Sequence, residues 1–342
     1  MVVLGLFASF CFAGSYIFIG AVVLGAGSRL FRALGFYFRK DGFTHIQGSL
    51  PEITLKNGEA KVMTWNIRGH SRGLHYAEGG VVHWQSRIKR IIENILQEEP
   101  DVIVLQEVYD VALVEEIYSR LEKFYSHFYT HFGSKNWDCD SGCMVITRCA
   151  VHNFANTDFK HYDNKARSFE TLEIKLSPND ELPCARIIGT QLSPGKTDSE
   201  TRMEQVVQIV NTLAKENLAM PTLFVGNLNV DRNNQIEEGG LSKYLYYSCL
   251  ASKSTHSHEL VSQWAPVFEG REDSCDFVSF FKRMATDGRI FPVIERGIRL
   301  LDSHLIKGFD EDYNTKTALS DHHAVVTTFS GLKSIRGIKL GI

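Results

Sequence analysis

Between residues 61 and 330 the sequence alternates short apolar runs, rich in β-branched residues, with stretches whose apolar positions recur at helical spacing. Lys61–Ile67 and Asp101–Gln106 read as buried strands. Between them Ile88, Ile91, Ile92, Ile95 and Leu96 fall on one face of a helix. Val111–Phe124 reads as a second helix, and Met203, Val206, Val207, Val210 and Leu213 mark a third. Further strands are expected at Cys143–Thr147, Ser168–Leu176, Ala185–Leu192, Thr222–Gly226, Asp276–Phe281 and Ala324–Phe329. No internal repeat is evident. Strands and helices alternating over a span of this length predict a two-sheet α/β sandwich in one domain.

Charge divides the chain differently. There are 37 Lys and Arg against 40 Asp and Glu, a formal net charge of −3. Arg29, Arg32, Arg39 and Lys40 are the only charged residues before residue 41, and Lys333, Arg336 and Lys339 the only ones after 330. The remaining 30 basic residues face all 40 acidic ones, so residues 41–330 carry −10. That excess argues against nucleic acid as a partner.

From Met1 to Ser28 no side chain is charged, and Val2–Leu24 is dominated by Val, Leu, Ile, Phe, Ala and Gly. Roughly 20 apolar residues suffice to cross a bilayer. A cleaved signal peptide ordinarily carries Lys or Arg ahead of its apolar run, whereas here all the nearby basic side chains follow it. The expectation is therefore a single-pass transmembrane anchor over 1–28, with the domain on the cytoplasmic side. A basic juxtamembrane linker over 29–60 and a basic tail over 331–342 complete the expected layout. Both basic segments can lie against an anionic membrane lipid surface. The seven cysteines are scattered and complete no zinc signature, as reduced thiols would be.

Polar residues gather where the expected strands stop. Trp65-Asn66-Ile67-Arg68-Gly69 and Leu105-Gln106-Glu107-Val108 end the first two strands. Thr190-Gln191-Leu192 and Gly226-Asn227-Leu228-Asn229 end two later ones, and Ser320-Asp321-His322-His323 precedes the last. Each piece alone is an ordinary turn or cap. Together they could serve phosphoester hydrolysis. Glu107, helped by Asn66, offers hard oxygen ligands suited to Mg²⁺, which polarises a phosphoryl oxygen and stabilises a leaving oxyanion. Asp321 could orient His322, and the amide of Asn229 could hold phosphate oxygens or the attacking water. His256-Ser257-His258-Glu259 has metal-like spacing but stands in a polar stretch, and reads as a solvated loop.

In this order the motifs, with Asp276-Phe277-Val278 added, resemble the endonuclease/exonuclease/phosphatase superfamily over roughly 60–330. Leu105-Gln106-Glu107-Val108-Tyr109-Asp110, Ser141-Gly142 and the Arg202, Gln205 pattern look most like its neutral sphingomyelinase branch. The resemblance implies a four-layer α/β/β/α sandwich of two packed mixed sheets. It also implies a Mg²⁺ ligand at Glu107, with Mn²⁺ as the alternative ion and Asn66 in support. Asn229 would orient phosphate or nucleophile, Asp276 would support the site, and Asp321 and His322 would form a pair. A membrane phospholipid head group is the implied phosphodiester substrate.

Two positions depart from that pattern. Asn227 stands where the family has an aspartate, and Gln191 where this branch has a histidine. Neither amide exchanges a proton near neutral pH. General acid–base groups each contribute about 10²–10⁴-fold. Three readings follow: a divergent membrane-anchored phosphodiesterase with a relocated base, for which Asp231 is nearest; a phosphoester-binding protein that does not hydrolyse; and a nuclease or inositol-phosphate phosphatase.

Overall fold

The computed structural model describes Gly27 and residues 42–70, 81–133, 140–160, 167–193, 199–213, 220–227, 229, 245–247, 276–284, 290–292, 299–308, 318–320 and 322–334. In chain order the strands are β1 (Thr44–Gln47), β2 (Ala60–Gly69), β3 (Val102–Val108), β4 (His127–Thr130), β5 (Met144–Thr147), β6 (Val151–Asp158) and β7 (Ser168–Lys175). They continue with β8 (Pro183–Gln191), β9 (Thr222–Asn227), β10 (Leu245–Tyr247), β11 (Asp276–Met284), β12 (Ile290–Pro292), β13 (Arg299–Ile306) and β14 (Ala324–Ser330). The helices are α1 (Ile88–Glu98), α2 (Val111–Leu121) and α3 (Ser199–Leu213).

The strands form two mixed sheets. Sheet one runs β1-β4-β5-β3-β2-β14-β13, and sheet two runs β10-β11-β9-β8-β7-β6 with β12 beside β11. Among the described strands, β2 with β3 and β8 with β9 pair in parallel and the others antiparallel. The alternation of side chains along each strand explains the layering. On β3, Val102 and Val104 enter the core between the sheets, where they meet Leu172, Ile187, Leu223 and Val225 of sheet two. Ile103 and Leu105 point the other way and pack with Ile91, Ile95, Leu113 and Ile117 of α1 and α2. Those helices cover the outer face of sheet one, and α2 begins where the Asp110 carboxylate accepts the Ala112 N–H at 3.0 Å. On sheet two, Ile188 and Phe224 face away from that core and are also buried, as are Val206, Ile209 and Leu213 of α3.

One carboxyl lies within the strand layer. Glu170 on β7 is opposite Gly189 on β8, where an added Cβ would meet Val104 of sheet one. Its Oε1 accepts the Ser168 hydroxyl at 2.8 Å, and its Oε2 is buried without a hydrogen-bond partner among the described residues. Burial pushes its pKa up to about 8.

The expected boundary at residue 61 moves. Residues 42–60, expected to be linker, belong to the fold: β1 pairs with β4, and Leu55 with Phe43 and Ile53 packs in the core between the sheets. Leu332, expected in the basic tail, is buried there too, its N–H donated to Gly58 O at 3.0 Å. Apolar side chains, not the basic residues around them, decide where these segments go. Among the described residues no helix is long and apolar enough to cross a membrane. The anchor expected over 1–28 lies, but for Gly27, outside the described residues.

Candidate active site

Topology delivers the expected polar groups to one end of the sandwich. β2 and β3 stop together, as do β8 and β9. β14 is antiparallel to β2, so Ser320 and His322, which precede it, arrive where β2 ends. Carboxyl ends of parallel strands are the usual seat of a ligand in such sheets.

Glu107 is the centre of the cluster. Asn66 Nδ2 donates to its Oε1 at 2.7 Å, and Gln191 Nε2 donates to the same oxygen at 3.0 Å. His70 Nε2 pairs with Oε2 at 3.0 Å, and the Glu107 side chain keeps 19% of its surface exposed. The His70 ring stacks on Tyr109, with centroids 5.2 Å apart. Burial pushes the Glu107 carboxyl up, but the hydrogen bond and charge of His70, the charge of His322 and the Asn66 hydrogen bond outweigh it. The group is held well below the usual carboxylate range and is ionised at neutral pH.

Asn66 is fully committed. Its Oδ1 accepts the Arg68 N–H at 3.1 Å, which fixes the amide so that Nδ2 faces both Glu107 and His322, whose Nε2 is 3.4 Å away. Asn66, expected to support Glu107, touches it as an N–H donor. The Trp65-Asn66 pair also holds the last motif: Trp65 Nε1 donates to His322 O at 3.1 Å, and the Ser320 hydroxyl donates to Asn66 O at 2.6 Å. Behind them the buried Arg87 guanidinium donates to Ile67 O and Arg68 O, both at 2.9 Å, and to Leu319 O. It thereby ties the end of β2 to the approach to β14.

The backbone is re-aimed at these positions. A register shift separates Asn66 from Gly69 opposite β3, and Arg68 (φ 47°), Glu107 (φ 60°) and Asn229 (φ 50°) are left-handed. Such conformations in non-glycine residues persist only where the surroundings over-determine them, and they concentrate at functional sites.

Gln191 and Asn227 are register partners at the ends of β8 and β9. Asn227 Oδ1 accepts the Asn229 N–H at 2.8 Å, and one N–H of the Asn229 amide goes to Leu192 O at 2.7 Å. Asn227 Nδ2 and Gln191 Oε1 are buried without hydrogen-bond partners among the described residues. Gly226 makes this approach feasible, because with φ at 143° an added Cβ would run into Thr190 O.

Glu107, Asn66, Gln191 and His322 are therefore in direct contact, with Asn227 and Asn229 at the adjoining strand end. Asp276 is the register partner of Asn227 on β11. Asp321, Asp231, His256 and His258 lie outside the described residues. His323 is turned toward the end of β13: its Nδ1 accepts the Gly308 N–H at 2.9 Å. Burial, with the charges of His322 and Lys307, lowers its pKa to about 4. Sequence reasoning missed His70 and Arg87. A histidine directly after the strand-end motif was a signal for the first; nothing in the sequence marks the second.

The model of the Endonuclease/Exonuclease/phosphatase family matches residues 63–233, half of the chain, and takes in Asn66, Glu107, Gln191, Asn227 and Asn229. The chain belongs to this family. Solved structures of the same fold include SmcL (TM-score 0.57, 16% identity, 80% of this chain and 99% of that one). TDP2 of D. rerio, complexed with a single-strand DNA product, is similar at TM-score 0.56 and 18% identity, over 80% of this chain and 99% of that one. Sphingomyelinase C from Streptomyces griseocarneus follows at TM-score 0.53 and 17% identity, with the same coverage of 80% and 99%. No curated protein matches the sequence.

Members of the family generally depend on a divalent metal. Among the described residues no three His, Cys, Asp or Glu side chains are grouped to hold an ion. Mg²⁺ does not require such a group: it keeps several waters and takes one or two carboxylates with substrate phosphate oxygens. Glu107 fits that pattern. It is ionised and partly open, and among the described residues three N–H donors leave one of its roughly four lone-pair positions unused.

Proposed function

We propose that the domain is a membrane-held, divalent-metal-dependent phosphodiesterase that hydrolyses a phospholipid head group. The observation that supports this is the convergence of Glu107, Asn66, Gln191 and His322, from three strands and the approach to a fourth, on one partly open carboxylate. A bound Mg²⁺ would supply electrophilic stabilisation of the phosphoryl and leaving oxygens. Glu107 would hold it. Asn66 fixes Glu107 relative to His322, and Gln191 steadies the same carboxylate. With amides at 191 and 227, His322 and His70 are the described nitrogen bases nearest the centre. The uncharged run of 1–28 and the basic residues at both ends would keep the domain at its lipid. Phosphocholine release from sphingomyelin vesicles with Mg²⁺ tests the proposal. Wild type should turn over and Glu107→Gln should not; equal background release from both would overturn it.

A second reading has its own support. Asn227 Nδ2, buried and without a hydrogen-bond partner among the described residues, offers a donor where a hydrolase of this family would have a proton acceptor. On that reading the domain binds phosphoesters without cleaving them. Asn227→Asp combined with Gln191→His should then create Mg²⁺-dependent hydrolysis in a protein otherwise inert, and robust turnover by wild type would refute it.

A further inference from the structure

Replacing a histidine by Gln191 removes a group able to carry positive charge from the end of β8, yet a cation stands beside that position. Arg167, half-buried just before β7, donates its Nη1 to Gln191 O at 3.0 Å and to Leu192 O at 3.1 Å. Leu192 O also accepts the Asn229 amide, so the guanidinium and Asn229 are anchored to one carbonyl. Both Nη1 hydrogens are thereby engaged. The opposite edge is not: Nε is buried with no hydrogen-bond partner among the described residues, and no described carboxylate pairs with Nη2. The Nε–Nη2 edge of a guanidinium is a planar two-donor fork whose spacing matches two oxygens of a phosphate or carboxylate. A buried N–H left without an acceptor is costly, so the edge is built for an acceptor to arrive.

Gln191 connects this edge to Glu107: its backbone carbonyl holds Arg167, and its side chain donates to Glu107 Oε1.

Resting on the functional reading above, we propose that Arg167 is an anion subsite on the rim of the candidate active site, its Nε–Nη2 fork taking two non-bridging oxygens of the substrate phosphate. Glu107 repels such a group unless a cation intervenes, so a fixed positive charge on the rim is what a phosphate needs to enter. The fork also selects for tetrahedral or planar oxyanions and offers nothing to a neutral lipid.

Titration of inorganic phosphate into the full chain in detergent, followed by calorimetry, tests this. Wild type should bind saturably. Arg167→Met should weaken binding roughly tenfold to a hundredfold, as loss of a charge-assisted pair of hydrogen bonds does. Arg167→Lys keeps the charge without the fork and should still lose several-fold. Circular dichroism of both variants guards against misfolding, and the lysine variant is the arbiter if the methionine variant unfolds. Equal phosphate affinity in wild type and Arg167→Lys, or no saturable binding by wild type, overturns the subsite. Should Glu107→Gln abolish Mg²⁺-dependent hydrolysis while neither Arg167 substitution alters phosphate binding, the subsite falls and the functional reading stands. The opposite pattern keeps the subsite and removes the hydrolase.

Discussion

Gln191 and Asn66 donate to the same oxygen, Oε1 of Glu107, at 3.0 and 2.7 Å. The amide at 191, where the sequence resemblance leads one to expect a histidine, is thus a working part of the cluster, coupling β8 of sheet two to β3 of sheet one. Gln191→Met keeps the length and removes the donor. Loss of one hydrogen bond to a charged acceptor should lower stability by about 1–3 kcal/mol. Urea denaturation at pH 7 measures it, and an unchanged midpoint would show the contact to be idle.

Glu107 gives the same cluster a pH signature. Its folded-state carboxyl is held below the unfolded value, so its stabilisation is fully present above the unfolded pKa of roughly 4.3. It is lost as pH falls from there toward the folded value. Stability of wild type should therefore drop on acidification below about pH 4.5, and Glu107→Gln should flatten that limb. Identical acid limbs would count against an ionised, hydrogen-bonded Glu107.

Glu170 works in the opposite sense. Its pKa is raised by burial to about 8, so the folded state keeps a proton that the unfolded state releases. Its contribution is intact below roughly pH 4.3 and declines as pH rises toward 8. Glu170→Gln should remove the decline, gaining up to a few kcal/mol at pH 8 relative to pH 5. Parallel stability profiles for the two proteins between pH 5 and 8 would contradict a neutral Glu170.

At Gly226 the prediction is steric. A methyl group there strikes Thr190 O, a backbone atom that cannot move without parting β8 from β9. Gly226→Ala should cost roughly 3 kcal/mol or more, seen as a fall in Tm. Neighbouring Gly189→Ala, which meets the Val104 side chain at 3.1 Å, should cost less.

The C-terminal basic residues can be tested apart from the fold, provided the cut respects Leu332. Removing 335–342 deletes Arg336 and Lys339 and leaves the core residue in place. At about 1 kcal/mol per charge near an anionic surface, binding of a protein lacking 1–28 to phosphatidylserine vesicles should weaken roughly thirtyfold at low salt. Unchanged partitioning would remove the tail from any membrane role.

Sequence legibility followed burial. The central strands β2, β3, β5, β7, β8, β9 and β14 carry apolar runs because packed side chains line one or both faces, and each lies close to its expected span. The strands at the sheet edges, β1, β13, β6 and β10, were not foreseen. Of these, β6 (Val151–Asp158) has no buried residue, and β1 alternates exposed with half-buried ones. A strand that is half in solvent is specified by its neighbour's hydrogen bonds more than by its own hydropathy. The site divides in the same way. Asn66, Glu107, Gln191 and His322 were legible because chemistry sits where apolar runs stop. Arg87 and Arg167 were not, since their roles depend on which loop ends meet in space.

β14, the last strand in the sequence, lies inside sheet one between β2 and β13. Asn66 and His322, 256 positions apart, meet only once it is seated. A nascent chain leaving the ribosome therefore carries Glu107 and Asn66 long before it has a site. Any product that stops short of residue 322 lacks a central strand together with the histidine. The contact between Asn66 and His322 therefore waits on the part of the chain made last among the residues that form it.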